Sequence, residues 1–455
     1  HSTMLNILIL AAGKGTRMHS DLPKVLHPVA GKPMLAHVLD TAKQLSPSKI
    51  LVVYGFGGDA VPSRFSHENI QWVQQAEQLG TGHAVMQALP FLDPEARTLI
   101  MLGDVPLISV ETCRQLLSSE SKLTLLTFAK ADPTGYGRIV RDGHGAVSAI
   151  VEHKDASDEQ RQIQEINTGI MAIDNQALSQ WLQNLGNDNA QGEYYLTDIV
   201  GMASHQGIAV GGVLAPAEQE ITGINSKSDL AAIERCYQLQ KASQLLQQGV
   251  TLSDPARIDI RGKLTVGRDV AIDVGCVFEG EVSLADGVRI GPYCVIRNAK
   301  IGAGTAIAAY THIDEADIGN QAKIGPYARL RPGTVLQDDT HVGNFVELKN
   351  AQVDVGSKIN HLSYVGDTTV GKQVNIGAGT ITCNYDGVNK FRTIIGDHAF
   401  IGSDSQLIAP VTIGAGATIG AGSTISKDAP AGELTVARGR QVTVTGWKRP
   451  EKIKK

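Results

Sequence analysis

The sequence predicts an α/β domain, a connecting helix and a parallel β-helix, in that order along one chain. Three observations carry the prediction. From Met4 to about Asn225, short aliphatic runs alternate with segments of helical period. Between about Ser228 and Gly249 stands one amphipathic run without proline. Beyond it, an aliphatic residue followed by Gly returns at every sixth position. At 455 residues the chain exceeds what one hydrophobic core organises, which agrees with a modular reading. The expected boundaries are 1–227 for the first domain, 228–248 for the helix and 249–455 for the solenoid.

In the first domain, Leu5 to Leu10, Ile50 to Tyr54 and Leu99 to Leu102 read as strands of a mostly parallel sheet, and Met34 to Leu45 as a covering helix. The apolar run from Leu5 to Ala12 is too short for a signal peptide, has no basic lead and continues into Gly-Lys-Gly-Thr-Arg, so it is expected as a buried first strand. His1-Ser2-Thr3 reads as an expression remnant. The connecting helix should present Ile233, Tyr237, Leu239, Ala242, Leu245 and Leu246 on one face and close at Gly249.

The hexad is clearest in Ile413-Gly414 through Ile419-Gly420 to Ile425, and related pairs recur from Val266 onward. The aliphatic residue should point inward, while Gly tolerates a corner at which φ is positive. A β-sandwich would alternate with period two, which this stretch does not do. Two segments interrupt the hexads, His341 to Lys349 and Thr382 to Phe391, and are expected as loops on the functional side.

A net charge of -5 with both signs interspersed excludes the basic stripe of a nucleic-acid binder. No run approaches the roughly 18 apolar residues that cross a bilayer, so no membrane association is expected. The five cysteines, with no CxxC spacing, read as reduced thiols of a cytoplasmic protein.

The N-terminal motif is Leu10-Ala11-Ala12-Gly13-Lys14-Gly15-Thr16-Arg17-Met18, followed by Pro23-Lys24. A strand feeding a Gly-rich loop exposes backbone N–H groups and a helix N-terminus to phosphates. The string is similar to the signature of sugar-nucleotide pyrophosphorylases. A sugar 1-phosphate, with a second pKa of about 6, can attack an α-phosphorus without a protein base. Charge neutralisation is then the protein's task. Lys24 is the expected cation, and Asp104, just past an apolar strand, the expected Mg²⁺ carboxylate.

Longer strings sharpen the resemblance: Gln75 to His83, Pro133 to Arg138, Val151 to Lys154, Glu165 to Gly169 and Gln191 to Asp198. With them, essentially the whole chain resembles the bacterial bifunctional N-acetylglucosamine-1-phosphate uridyltransferase/glucosamine-1-phosphate acetyltransferases. That resemblance implies a Rossmann-like nucleotidyltransferase domain and a left-handed β-helix of hexapeptide repeats. It also implies a homotrimer, with acetyl sites between subunits. It places Leu10, Ala11, Ala12, Gly13, Lys24, Gln75, Gly80, Thr81, Leu102, Gly103, Gly137, Glu152 and Asn167 around UTP and the sugar phosphate, and Asp104 and Asn225 on Mg²⁺. Leu102 stands where the family pattern has Tyr, and Asn225 sits in Gly-Ile-Asn-Ser-Lys rather than Gly-Val-Asn-Asn-Arg.

In the solenoid, Arg329 to Gly333, His341 to Lys349, Asn360 to Asp367 and Asn375 to Gly387 resemble the acetyltransferase half of the same family. Acetyl transfer to an amine releases a proton, which suits an imidazole of ordinary pKa about 6.5. By resemblance that base is His361. Arg331, Lys349, Tyr364 and Asn375 would meet glucosamine 1-phosphate, and Ala378, Asn384, Tyr385, Ser403, Ala421 and Arg438 would meet acetyl-CoA. Asn350 follows Lys349 where relatives often carry a second Lys. The basic tail from Trp447 to Lys455 reads as solvated. Two rival readings are a pyrophosphorylase with a scaffold solenoid, and a binding protein without turnover. His361 with Asn384-Tyr385 argues against the first, and thiol release from acetyl-CoA in the presence of glucosamine 1-phosphate would separate both from the two-reaction reading.

Overall fold

A computed structural model describes residues 4–55 and 57–455; His1 to Thr3, and the expression remnant read there, lie outside the described residues, as does Phe56. The chain divides into two compact units, residues 1–237 and 238–455.

The first unit is built on a nine-stranded sheet. From one edge, its main path runs Val210–Leu214, Leu123–Ala129, Glu165–Asp174, Arg97–Leu102, Leu5–Leu10, Lys49–Tyr54 and Gln71–Gln74. Only Glu165–Asp174 runs antiparallel on this path, and it also carries the hairpin Arg138–Arg141/Val147–Val151. Leu5–Leu10 is buried on both faces, as the continuous apolar run requires of a central parallel strand. Leu8, Leu51, Val53 and Ile100 feed the core on one face; Ile7, Ile9, Val52, Leu99 and Met101 feed that on the other. This is a Rossmann-like arrangement.

The helix Lys227–Gln247 corrects the expected apolar face. Ile233, Ala242 and Leu245 are buried, but Leu239 and Leu246 are exposed. Fully buried Gln238 takes part in their place: its amide accepts from Ile260 N–H at 2.7 Å and donates to Ile260 C=O at 2.9 Å. A polar side chain enters the core because it ties off a strand's backbone groups.

The second unit is a left-handed parallel β-helix. One face stacks Ile272, Ile290, Ile307, Ile324, Val342, Ile359, Ile376, Ile401 and Ile419 in register. These residues join one continuous interior. The six-residue period follows because each hexad supplies one short strand and one corner. One corner column, Gly262, Gly280, Asn298, Glu315, Gly333, Asn350 and Asp367, has positive φ at every position.

One expected loop is not a loop. His341 to Lys349 runs through the strands His341–Asn344 and Glu347–Val353, both in register with their neighbours, and the corner at Phe345 and Val346 that joins them. Its polar residues are outward positions of an ordinary rung, whose buried Val342 is followed by Gly343 as in the other hexads. Residues 384–391 do leave the coil, in a loop closed by an antiparallel bridge between Tyr385 and Lys390. No helix among the described residues is long and apolar enough to cross a membrane.

Candidate functional sites

In the first unit, the chain leaves Leu5–Leu10 for Lys49–Tyr54 on one side and returns to Arg97–Leu102 on the other. Such a reversal opens a crevice at the strands' carboxyl ends. A cleft of about 370 Å³ lies there, within the usual range for small-molecule sites. Leu10, Ala11, Ala12, Gly13, Lys24, Gln75, Gly80, Thr81, Leu102 and Asp104 line it, together with Gln78 and Glu193. The last two stand inside the quoted strings but were not singled out, since nothing in their spacing marks their direction.

The Gly-rich loop leads into a single 3-10 turn, Thr16–Met18, rather than the expected α-helix. The motif therefore ends in loop amides rather than in a long helix's N-terminus. Gly15 has φ 63°, and a Cβ there would stand 2.8 Å from Lys24 Cβ, so glycine lets the loop close over that lysine. Lys24 Nζ donates to Asp104 Oδ2 at 2.8 Å and to Asn225 Oδ1 at 3.1 Å. Two residues far apart in sequence thus meet around the Lys24 cation.

Gly103, Gly137, Glu152, Asn167 and Asn225 do not line that cleft. Gly103 N–H instead ties to Leu10 C=O at 2.9 Å. Gly137, Glu152 and Asn167 gather beside one another: Asn167 N–H donates to Gly137 C=O at 2.9 Å, and a Cβ on Gly137 would lie 3.5 Å from both Glu152 carboxylate oxygens. Thr81 and Thr197 link this group to the cleft, through Leu196 N–H to Thr81 Oγ1 at 3.3 Å and Thr197 Oγ1 to Glu152 Oε1 at 3.0 Å. Asn167 Oδ1 is buried with no partner among the described residues, an acceptor left for a ligand. Burial, and secondarily the carboxylates of Asp198, Asp155 and Glu193, push Glu152 above the usual carboxylate range against the Thr197 hydrogen bond. Gly169, at φ 89°, leaves the room that Leu102 fills: a Cβ there would stand 3.0 Å from Leu102 Cδ1.

Asp104 and Asn225 offer hard oxygen donors already converging on a positive charge, which fits Mg²⁺. Among the described residues no cluster of three His, Cys, Asp or Glu forms a protein-only metal cage. Magnesium here would complete its shell with phosphate oxygens and water, its usual habit.

In the second unit, backbone hydrogen bonds chain one corner together: Leu362 N–H to Asn344 C=O, Gly379 N–H to His361 C=O, Asp404 N–H to Ala378 C=O and Gly422 N–H to Ser403 C=O. Asn344, His361, Ala378, Ser403 and Ala421 consequently form one column along the coil. Arg438 joins it by donating to Ala421 C=O at 2.7 Å. His361 Nδ1 lies 3.0 Å from Asn344 Oδ1. A carbonyl oxygen only accepts, so Nδ1 carries the hydrogen, and in the neutral ring the lone pair then falls on Nε2.

Around the corner from His361, Tyr364 begins the next strand, Tyr364–Val370. Arg331 contacts Glu347 at 3.3 Å, Glu347 is in register with Tyr364, and Lys349 meets Asp367 at 3.1 Å. Asn384 bridges Tyr364 Oη and Asp367 Oδ2. Arg331, Lys349, Tyr364 and Asn384 therefore converge, while Asn375 lies on the other sheet, which also carries His361. Tyr385 is exposed on the 384–391 loop, its hydroxyl donating to Gly387 C=O at 2.7 Å.

That loop brings in Lys390, whose ammonium is held below its ordinary pKa by Lys349 and, less strongly, by Arg331. Burial would raise the Asp367 carboxyl, but hydrogen bonds from Asn350, Asn384 and Lys349 outweigh it and hold it below the usual range. Asn344, Asp367 and Lys390 were not singled out as site residues. All three stand inside segments with functional strings or the 382–391 interruption, and only the folded coil shows what they face.

Residues 7–251 match the MobA-like NTP transferase domain family. Residues 260–353 match the GMPPB C-terminal domain, and 392–427 the bacterial transferase hexapeptide family. Among curated relatives, a "Bifunctional protein GlmU" of Methylobacillus flagellatus is 69% identical over 451 residues, 99% of this chain and 98% of the relative. Proteins of the same name from Janthinobacterium sp. and Ralstonia nicotianae are 60% and 59% identical over 453 residues, each covering 99% of this chain and 100% of the relative.

Proposed function

The chain belongs to the bifunctional GlmU family, and from that premise we propose the residues by which it performs the family's two reactions. It transfers an acetyl group from acetyl-CoA to glucosamine 1-phosphate, then a uridylyl group from UTP to N-acetylglucosamine 1-phosphate, giving UDP-N-acetylglucosamine and pyrophosphate.

In uridylyl transfer, the sugar phosphate oxygen bonds to the α-phosphorus of UTP as the bond to pyrophosphate breaks. No proton has to move, because the nucleophile is already an anion. Lys24 neutralises the reacting phosphates from the cleft. Asp104 and Asn225 would hold Mg²⁺, which when bound supplies further charge neutralisation. Glu152 and the free Asn167 Oδ1 receive the sugar, the latter as a hydrogen-bond acceptor. The remaining lining residues shape the pocket.

In acetyl transfer, the sugar amine bonds to the thioester carbon as the carbon–sulfur bond breaks. His361 Nε2 takes the amine proton and returns it to the departing sulfur. Arg331, Lys349 and Tyr364 meet the sugar phosphate, with Asn375 as a further polar contact. Acetyl-CoA follows the corner column past Ala378, Ser403 and Ala421 to Arg438, with Asn384 and Tyr385 beside its reactive end. The observation that carries this reading is the His361–Asn344 contact on that column, which sets the tautomer a base needs.

The domain limits we read are 1–227, 228–248 and 249–455. The homotrimer is supported by an exposed ladder of Tyr293, Tyr310, Tyr327 and Phe345, stacked 5.0–5.4 Å apart and continued by exposed Leu362. Cysteine usage supports a cytoplasmic location.

His361→Ala is expected to lower thiol release from acetyl-CoA in the presence of glucosamine 1-phosphate by about 10²- to 10⁴-fold while sparing pyrophosphate formation. Equal loss of both activities, or undiminished thiol release, would overturn the assignment.

A further inference from the structure

Asp367 occupies the corner column of positive φ, at 48°, one rung beyond Asn350 at 46°. Asp and Asn are among the few residues other than Gly that accept this conformation readily. Asp367 is only 7% exposed, and its carboxylate would be costly to bury alone. Three side chains compensate. Asn350 Nδ2 donates to Oδ1 at 3.0 Å, Lys349 Nζ to Oδ1 and Oδ2 at 3.3 and 3.1 Å, and Asn384 Nδ2 to Oδ2 at 2.8 Å.

Asn384 Nδ2 also donates to Tyr364 Oη at 3.2 Å. Both hydrogens of that amide nitrogen are then engaged, so only Oδ1 remains to face a substrate, as an acceptor. Lys349 turns its ammonium toward both Asp367 oxygens, with Lys390 beside it. Lys349 and Asn384 lie on opposite sides of Asp367 along the coil, one serving the sugar phosphate and the other acetyl-CoA in the acetyl-transfer reading, on which this inference rests.

We propose that Asp367 is a positioning residue for acetyl transfer, a single buried carboxylate that fixes Lys349 and the amide of Asn384 together and so couples the two substrate subsites. Whichever substrate binds first immobilises the trio, and the second meets groups already set.

Asp367→Asn in the full chain tests this, since it keeps the size and tolerates the same φ while removing the charge. The KM values for glucosamine 1-phosphate and for acetyl-CoA should each rise by roughly 5- to 50-fold, with kcat changed far less and pyrophosphate formation unaltered. In a cycle with Lys349→Ala, the second substitution should cost much less than it does alone. Both KM values within twofold of the parent, loss in kcat alone, or an additive cycle would overturn the proposal. Should Asp367→Asn fail to fold, Asn384→Asp sets a second carboxylate against Asp367 and should raise both KM values; unchanged values would again overturn it. An unsubstituted chain that releases no thiol would refute the acetyltransferase reading itself, a result distinct from an active enzyme indifferent to Asp367.

Discussion

Replacing Asn344 by Ala removes the acceptor that lies 3.0 Å from His361 Nδ1. That contact is one neutral hydrogen bond at an exposed position, worth about 0.5–1.5 kcal/mol net. Because each 1.36 kcal/mol is tenfold in rate, kcat/KM for acetyl transfer should fall about 2- to 12-fold. Loss of the imidazole itself should be far more damaging, about 10²- to 10⁴-fold. The ordering follows from geometry, since Asn344 only orients the ring whereas His361 accepts the proton. Asn344→Asp goes further, because a carboxylate facing Nδ1–H favours the imidazolium and should move the acid limb of the rate profile to higher pH. Thiol release from acetyl-CoA, followed from about pH 5.5 to 9 with glucosamine 1-phosphate, reads both effects. A loss in Asn344→Ala as large as that in His361→Ala would mean that Asn344 meets the substrate directly. No loss, together with an unmoved limb in Asn344→Asp, would refute the tautomer argument.

Lys24→Ala strips Asp104 and Asn225 of their shared partner, and should reduce pyrophosphate formation by about 10- to 100-fold while thiol release stays unchanged. Glu152, raised mainly by burial, binds its proton more tightly folded than unfolded. Its stabilising contribution is therefore complete below its ordinary pKa of 4.5 and is lost as pH rises through the folded value, leaving a net cost at neutral pH. Glu152→Gln should accordingly raise the melting temperature of the first unit at pH 7–8, with the gain closing toward pH 4; a constant or inverted difference would count against it. Tyr310→Asp places a charge in the middle of the aromatic ladder and should shift the mass in solution from three chains toward one, as measured by light scattering.

Much of this protein is legible along the chain because burial in its elements is periodic and local. The run Leu5 to Leu10 is apolar throughout, as a doubly covered strand must be. The Ile-Gly hexads of residues 413–425 announce a coil whose inside returns every sixth residue, and each hexad reports its own corner and strand without knowledge of its neighbours. The Gly-rich loop, Lys24 and Asp104 are legible as compact strings whose residue types suit phosphate chemistry, whereas His361 is legible only through the family resemblance of the strings around it.

Tertiary structure decided what depends on register and closure. Lys24 meets Asp104 and Asn225 only once the sheet has brought three distant segments to one strand end. Asp367 looks like any corner residue until stacking sets Lys349 on one side of it and Asn384 on the other. Gln238 enters the core and Leu239 leaves it because the backbone of Ile260 needs a donor and an acceptor, which helical periodicity does not report. A sequence states which residues are apolar, charged or able to turn. Which of them meet is set by how strands are aligned in three dimensions, since a contact across rungs joins positions that no local pattern links.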